Sequence, residues 1–172
     1  MGGQIFIEST LGVGTKVTVR FNFRRAADGE LTASEIKEKA IDYSALNGKR
    51  VLLVEDNELN REIATDILED EGMIVDTADD GDIAVEKVSN SSKDQYDLIL
   101  MDVQMPRMNG YDATKAIRKL TIPYASSIPI IAMTANAFDE DKKNALDAGM
   151  NGHIAKPIDI VKLLSTLTEI LK

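Results

Sequence analysis

From Lys49 onward the chain alternates between short apolar runs and longer amphipathic stretches. Val51-Leu52-Leu53-Val54 is continuously apolar and too short for a helix, the pattern of a strand buried on both faces. Behind it, the stretch from Leu59 to Leu68 carries Ile63, Ala64, Ile67 and Leu68 at helical spacing, and the stripe Ile63, Ile67 and Leu68 is assigned to the core. The same pairing returns as Met73–Val75 with Gly81–Val88, Leu98–Met101 with Ala113–Leu120, Ile128–Ala132 with Phe138–Ala148, and His153–Ala155 with Ile158–Leu171. Such a succession of strand–helix units predicts an α/β fold, a parallel sheet covered by helices on both faces.

The first 23 residues read differently. Gln4–Glu8 and Lys16–Phe23 are short strand patterns, the second alternating with period two, and the intervening Ser9–Thr15 carries two glycines. An isolated hairpin is marginal in water, so these strands predict a β-hairpin remnant of a larger sheet. Residues 24–48 mix both charges with few large apolar groups, as in Ser34-Glu35-Ile36-Lys37-Glu38-Lys39, which is linker composition. The predicted organisation is hairpin 1–23, linker 24–48 and α/β domain 49–172.

Charge divides along nearly the same line. Of 20 Lys+Arg and 29 Asp+Glu, residues 1–46 hold 6 of each, so the net charge of −9 lies wholly in the C-terminal part. An acidic body lacks the cationic face that releases counterions from nucleic acid, which argues against nucleic acid as a direct partner. With no cysteine, a disulfide framework, a thiolate zinc site and a cysteine nucleophile are excluded. No apolar run approaches the roughly 18–20 residues of a membrane span, and the N-terminus lacks a signal-peptide layout. The expectation is a soluble, cytoplasmic chain with no membrane contact of its own.

In open parallel α/β sheets, ligands bind beyond the carboxyl ends of the strands. Here those positions hold Glu55 and Asp56 after the first parallel strand, Asp102 at the end of the third, Thr134 after the fourth, and Lys156 with Pro157 after the fifth. Three neighbouring carboxylates repel one another unless a cation joins them. Oxygen ligands without His or Cys favour a hard divalent ion, Mg2+ over Zn2+. With its charge offset, a carboxylate can attack phosphorus to form an aspartyl phosphate, while Lys156 and Thr134 stabilise the phosphoryl oxygens.

Four motifs in order, Val54-Glu55-Asp56-Asn57, Leu100-Met101-Asp102-Val103-Gln104-Met105-Pro106, Met133-Thr134-Ala135-Asn136 and Ala155-Lys156-Pro157, make residues 49–172 resemble the receiver domain of two-component response regulators. The resemblance implies a flavodoxin-like (βα)5 fold with strand order 2-1-3-4-5, and Asp102 as acceptor of a phosphoryl group from phosphohistidine. It implies that Asp56, Asp102 and the backbone carbonyl of Gln104 hold Mg2+, with Glu55 assisting largely through water. Thr134 and Lys156 would grip the phosphoryl group and report it by moving. The family's aromatic switch position, three residues before the lysine, is His153 here, and Gln104 and Asn136 stand where the family tunes phosphoryl lifetime. A cis Lys156–Pro157 bond is also expected, at the one kind of peptide where cis costs little.

Met1–Ser9 with Leu11–Val17 resembles the last hairpin of a histidine-kinase ATP-binding domain, whose ATP-holding boxes lie upstream in that family. Kinase tail, linker and receiver in that order resemble a hybrid sensor histidine kinase, a class of parent compatible with a membrane anchor elsewhere. Without a complete kinase domain the chain itself would act mainly as phosphoacceptor. The implied partners are a histidine-phosphotransfer domain or a histidine-kinase dimerisation domain, with the first helix around Leu59 and Asn60 as a docking face. Two other functions draw on the same pattern, a phosphorylation-independent docking module and an aspartyl-phosphate phosphatase. The phosphatase type needs a second Asp two residues after its nucleophile, where this chain has Gln104. Asn57 or Asp56 is placed to cap the following helix, and Met101, Met105, Met108 and Met133 are assigned to packing.

Overall fold

The computed structural model describes residues 3–10, 12, 14–21, 42–135 and 139–172. The linker up to residue 41, the turn residues Leu11 and Val13, the strand end Asn22-Phe23, and Asn136 with Phe138 lie outside the described residues. The chain divides into two units, 1–40 and 41–172.

In the first unit, β1 (Gly3–Thr10) and β2 (Gly14–Phe21) pair antiparallel, with Ile5 opposite Val19 and Ile7 opposite Val17. Directly opposed residues share a face, so these four side chains form one apolar face, and all are exposed. On the other face the Arg20 guanidinium lies 5.6 Å from the Phe6 ring centroid, and Lys16 pairs with Glu8 at 3.8 Å.

The second unit begins with a single 3-10 turn, Ser44–Leu46, which buries Leu46 and packs Tyr43 on the same core. There follow β3 (Arg50–Val54), α1 (Glu58–Asp70), β4 (Ile74–Ala78), α2 (Gly81–Asn90), β5 (Leu98–Asp102), α3 (Gly110–Arg118), β6 (Ile130–Thr134), α4 (Asp139–Ala148), β7 (Gly152–Ala155) and α5 (Ile160–Ile170). The strands are parallel in the order β4-β3-β5-β6-β7, which is 2-1-3-4-5 counted within the unit, as expected for a flavodoxin-like fold.

Alternation sends each strand's side chains to two layers. Leu52, Val54, Ile99, Met101, Ile130 and Ala132 pack with Ala84 and Val88 of α2, Ala113 and Ile117 of α3, and Ala145 of α4. Their neighbours Val51, Leu53, Leu98, Leu100, Ile131 and Met133 pack with Ala64 and Leu68 of α1 and with Leu163, Leu164 and Leu167 of α5. Each fully buried Leu or Ile contributes about 1.5–3 kcal/mol relative to exposure, so the central strands anchor the carboxyl edge from which the site is built. Met101, Met105 and Met133 are buried in this packing, and Met108 lies partly buried against it.

Ile63 is 50% exposed rather than core, because Ala64 and Leu68, one turn apart, take the sheet-facing line of α1 and rotate Ile63 to its flank. Ile67 is intermediate, partly buried against the core, and Leu68 is fully buried. Helix starts follow their caps: Asn57, Asn109 and Asp159 each accept the N–H three residues on, so α3 starts earlier than the predicted Ala113 and α5 later than the predicted Ile158. Among the described residues no helix is long and apolar enough to cross a membrane.

Candidate functional site

The parallel ladder brings the strand ends level. Val54 of β3 stands opposite Met101 of β5, Asp102 opposite Met133 of β6, and Thr134 opposite Ala155 of β7. Glu55, Asp56, Asp102, Thr134 and Lys156 therefore emerge along one edge, all from residues singled out in the sequence. One carboxylate oxygen from each of Glu55, Asp56 and Asp102 lies within 4.8 Å of the others. Glu55 and Asp102 are buried, at 2% and 4% exposure, whereas Asp56 faces solvent. Lys156 Nζ reaches both buried acids, donating to Glu55 Oε2 at 2.6 Å and lying 2.8 Å from Asp102 Oδ2. The Lys156–Pro157 bond is cis, as expected.

Two buried carboxylates thus share one ammonium. Burial pushes the Asp102 carboxyl above the ordinary carboxylate value, the Glu55 charge adds to this, and Lys156 offsets only part of it. For Lys156, burial alone would lower the pKa, but its bonds to Asp102 and Glu55 outweigh burial and hold it above the ordinary value. The cluster is short of positive charge and offers only oxygen ligands, a donor set that fits a hard divalent cation such as Mg2+.

Neighbouring residues hold this arrangement in place. Asn60 Nδ2 donates to Glu55 Oε1 at 3.0 Å, so both oxygens of Glu55 are engaged. The Arg61 guanidinium donates to the Glu55 carbonyl at 2.7 Å and approaches the Asp56 carbonyl at 3.4 Å, tying the loop between β3 and α1 to the first turn of that helix. Sequence reasoning misses Arg61; a cation in the first turn after two acids is its only signal. The Gln104 N–H donates to Asp102 Oδ1 at 3.2 Å, with the Gln104 side chain exposed. Gly110 must be glycine: a Cβ there would stand 2.2 Å from the Asp102 carbonyl oxygen, so α3 starts directly against the end of β5. Thr134 is buried at the end of β6. His153 stands apart from the acidic cluster, half-buried in β7. Burial, followed by the charges of Lys142 and Lys162, lowers its pKa.

Two openings flank the cluster. One, of about 650 Å³, is lined by Asp56, Gln104, Met105, Tyr111, Thr134 and Asp141 among others. The other is a groove of about 540 Å³ where Ile63 and Ile67 of α1 face Pro157, Ile158 and Ile160, and it ends at Glu55 and Lys156. Leu59, 63% exposed, and Val161, 48% exposed, extend the apolar surface of these two helices.

A family model described as the response regulator receiver domain matches residues 51–168. The aerobic respiration control sensor protein ArcB of Escherichia coli is 35% identical over 169 residues, covering 98% of this chain and 20% of that protein. The receiver domain of the sensor histidine kinase PA1611 from Pseudomonas aeruginosa, solved with a magnesium ion coordinated in its active-site cleft, superposes with TM-score 0.65 at 39% identity, covering 72% of this chain and 98% of that one. A further solved structure, the Saccharomyces cerevisiae phosphotransfer protein Ypd1 with the receiver domain of Ssk1, matches with TM-score 0.63 at 30% identity over 72% of this chain and 88% of that one. The chain spans about a tenth to a fifth of the length of the curated relatives it matches.

Proposed function

The chain belongs to the response regulator receiver family, and on that premise we propose that Asp102 is its phosphoacceptor in phosphorelay signalling. The observation that carries this reading is the convergence of three carboxylates within 4.8 Å of one another, two of which share the ammonium of Lys156. The Asp102 carboxylate attacks the phosphorus of a phosphohistidine; a P–O bond forms, the P–N bond breaks, and its electron pair returns to the imidazole, which takes up a proton. Glu55, Asp56, Asp102 and the backbone carbonyl of Gln104 would hold Mg2+, which when bound offsets the charge of the carboxylates and of the phosphoryl oxygens. Support for this metal comes from the all-oxygen cluster and from the magnesium-bound relative. Lys156 supplies a cation to the transferred group and Thr134 a hydroxyl, and the response to phosphorylation runs through Thr134 and His153.

A phosphotransfer protein is the partner class, supported by the relative solved with Ypd1. We place its docking on the apolar groove between α1 and α5, which leads to Lys156. A kinase dimerisation domain would present its histidine to the same face. The match to the sensor protein ArcB along 98% of the chain is compatible with a kinase-derived hairpin 1–23, a linker 24–48 whose last turn packs Tyr43 and Leu46 on the core, and a receiver 49–172, in a cytoplasmic part of a hybrid histidine kinase.

The test is incorporation from acetyl phosphate, read by intact mass with and without Mg2+. The native chain is expected to gain one phosphoryl group only with the metal, and Asp102→Asn to gain none. Incorporation that survives in Asp102→Asn would overturn the assignment.

A further inference from the structure

Asp80 is 1% exposed and lies outside the cluster of Glu55, Asp56 and Asp102. It follows β4 and caps α2, accepting the Gly81 N–H at 2.7 Å. Its remaining bonds cross to the loop between β5 and α3. Oδ1 accepts the Met108 N–H at 2.8 Å, Oδ2 accepts the Arg107 N–H at 3.0 Å, and the Arg107 Nε stands 3.6 Å from Oδ2. Burial alone would raise the Asp80 pKa, but the N–H groups of Arg107, Met108 and Gly81 outweigh it and keep the carboxyl below its ordinary value, so it is ionised at neutral pH. A buried carboxylate that accepts the first N–H of α2 and two N–H groups of the loop between β5 and α3 fixes their separation, because losing either set leaves buried polar groups unpaired.

The loop held in this way, residues 103–109, leaves Asp102 and carries the Gln104 carbonyl. Its far end is closed by the Gly110 N–H, which donates to the Val103 carbonyl at 3.0 Å. Its underside rests on Gly81, where a Cβ would come within 2.4 Å of the Met108 carbonyl oxygen. The loop is therefore fixed at Asp102, at Gly110, and across to Asp80 through residues 107 and 108 in its second half.

We propose that Asp80 is a positioning residue for the phosphoacceptor site: by holding residues 107 and 108 it sets the loop that presents the Gln104 carbonyl to the metal. This rests on the assignment of Asp102 and Gln104 made above. The dependence is one-sided, since Asp80 acts through the loop while the acids and Lys156 stay in place without it. Its loss therefore weakens the metal site and leaves the phosphoacceptor chemistry intact.

The experiment is Mg2+ titration by calorimetry on the folded, unphosphorylated chain, comparing native protein with Asp80→Asn and Asp80→Ser. The amide of Asp80→Asn has one acceptor oxygen where two are used. The hydroxyl of Asp80→Ser retains the cap on α2 but is too short to hold the loop. Each variant is expected to raise the Mg2+ Kd about tenfold or more, the range seen when partners behind metal ligands are lost. Labelling by acetyl phosphate is expected to return to at least half the native rate at saturating Mg2+. A role confined to capping would lower the Tm and leave the Kd unchanged. Circular dichroism establishes that each variant is folded at the assay temperature, and Asp80→Ser decides the matter if Asp80→Asn is not. A Kd within threefold of native in a folded variant overturns the proposal while the site assignment stands. A native chain that binds no Mg2+ overturns that assignment, and the role of Asp80 with it.

Discussion

Ile5-Phe6-Ile7 of the hairpin is as apolar as Leu52-Leu53-Val54 of the parallel sheet, yet the first three side chains are 67%, 45% and 68% exposed and the second three are fully buried. The two differ in the segment that succeeds each strand. Behind every parallel strand comes a helix with an apolar stripe, and the two helical layers close both faces of the sheet. Behind the hairpin comes a run of mixed charge, and among the described residues nothing covers the paired face of Ile5, Ile7, Val17 and Val19, all of which are exposed. Apolar area stabilises a fold only where it is removed from water. The same local pattern is thus a core in one unit and an unfilled half of a core in the other.

That contrast can be broken most directly by matched truncations. Leu100→Ala, in the fully buried β5, is expected to cost about 2–5 kcal/mol in urea unfolding, whereas Ile7→Ala should change stability by no more than about 0.5 kcal/mol. Equal losses would show that the hairpin face is buried after all.

A smaller effect concerns polar burial, which the hairpin lacks and Asp80 exemplifies. The folded-state pKa of Asp80 is depressed, so its contribution to stability is complete above the ordinary Asp value of about 3.9 and is lost as pH falls through the lower folded value. Urea unfolding between pH 6 and pH 3 should show stability falling with acid in the native chain and falling less in Asp80→Asn. Parallel curves would refute this.

The smallest effect tests the rim of the sheet, intermediate between its centre and the hairpin. His153, on edge strand β7, is half-buried with a depressed pKa, so the folded chain favours its neutral form. Its contribution is present above about pH 6.5 and is lost as pH falls toward the folded value. As the one histidine in the chain, it gives a single imidazole titration by NMR, expected to have its midpoint below that of a free histidine. A midpoint at the free-histidine value would sharpen the boundary the other way, making β7 at His153 as solvated as the hairpin.

These differences also mark what can be read from the residues alone. β3 and β5 are continuous apolar runs that permit one reading, whereas β6 reads two residues early, as Ile128–Ala132 where the strand is Ile130–Thr134; Glu55, Asp102, Thr134 and Lys156 each end or directly follow a strand, so the site is legible at that edge. β4 reads short, as Met73–Val75, because its Asp76 and Thr77 look like loop residues. Asp76 is held in an edge strand by Lys87 at 2.5 Å and Tyr96 at 2.6 Å, partners that no local window contains. Asp80 escapes notice for the same reason. Asp79-Asp80-Gly81-Asp82 resembles a solvated turn, and the two loop N–H groups that Asp80 accepts beyond the neighbouring Gly81 lie 27 and 28 residues away. Ile63 errs in the opposite direction: helical spacing identifies an apolar stripe but not which of its edges meets the sheet.

The bond from Lys156 to Glu55 spans 101 residues of sequence. Loops of that length close late and only on a frame already built, since their entropy must be met by contacts formed elsewhere. A nascent or partly unfolded chain can possess every one of the acids and still have no receptive site. Competence to take up the signal is in this way a certificate of complete folding, issued only after the last strand has joined the sheet.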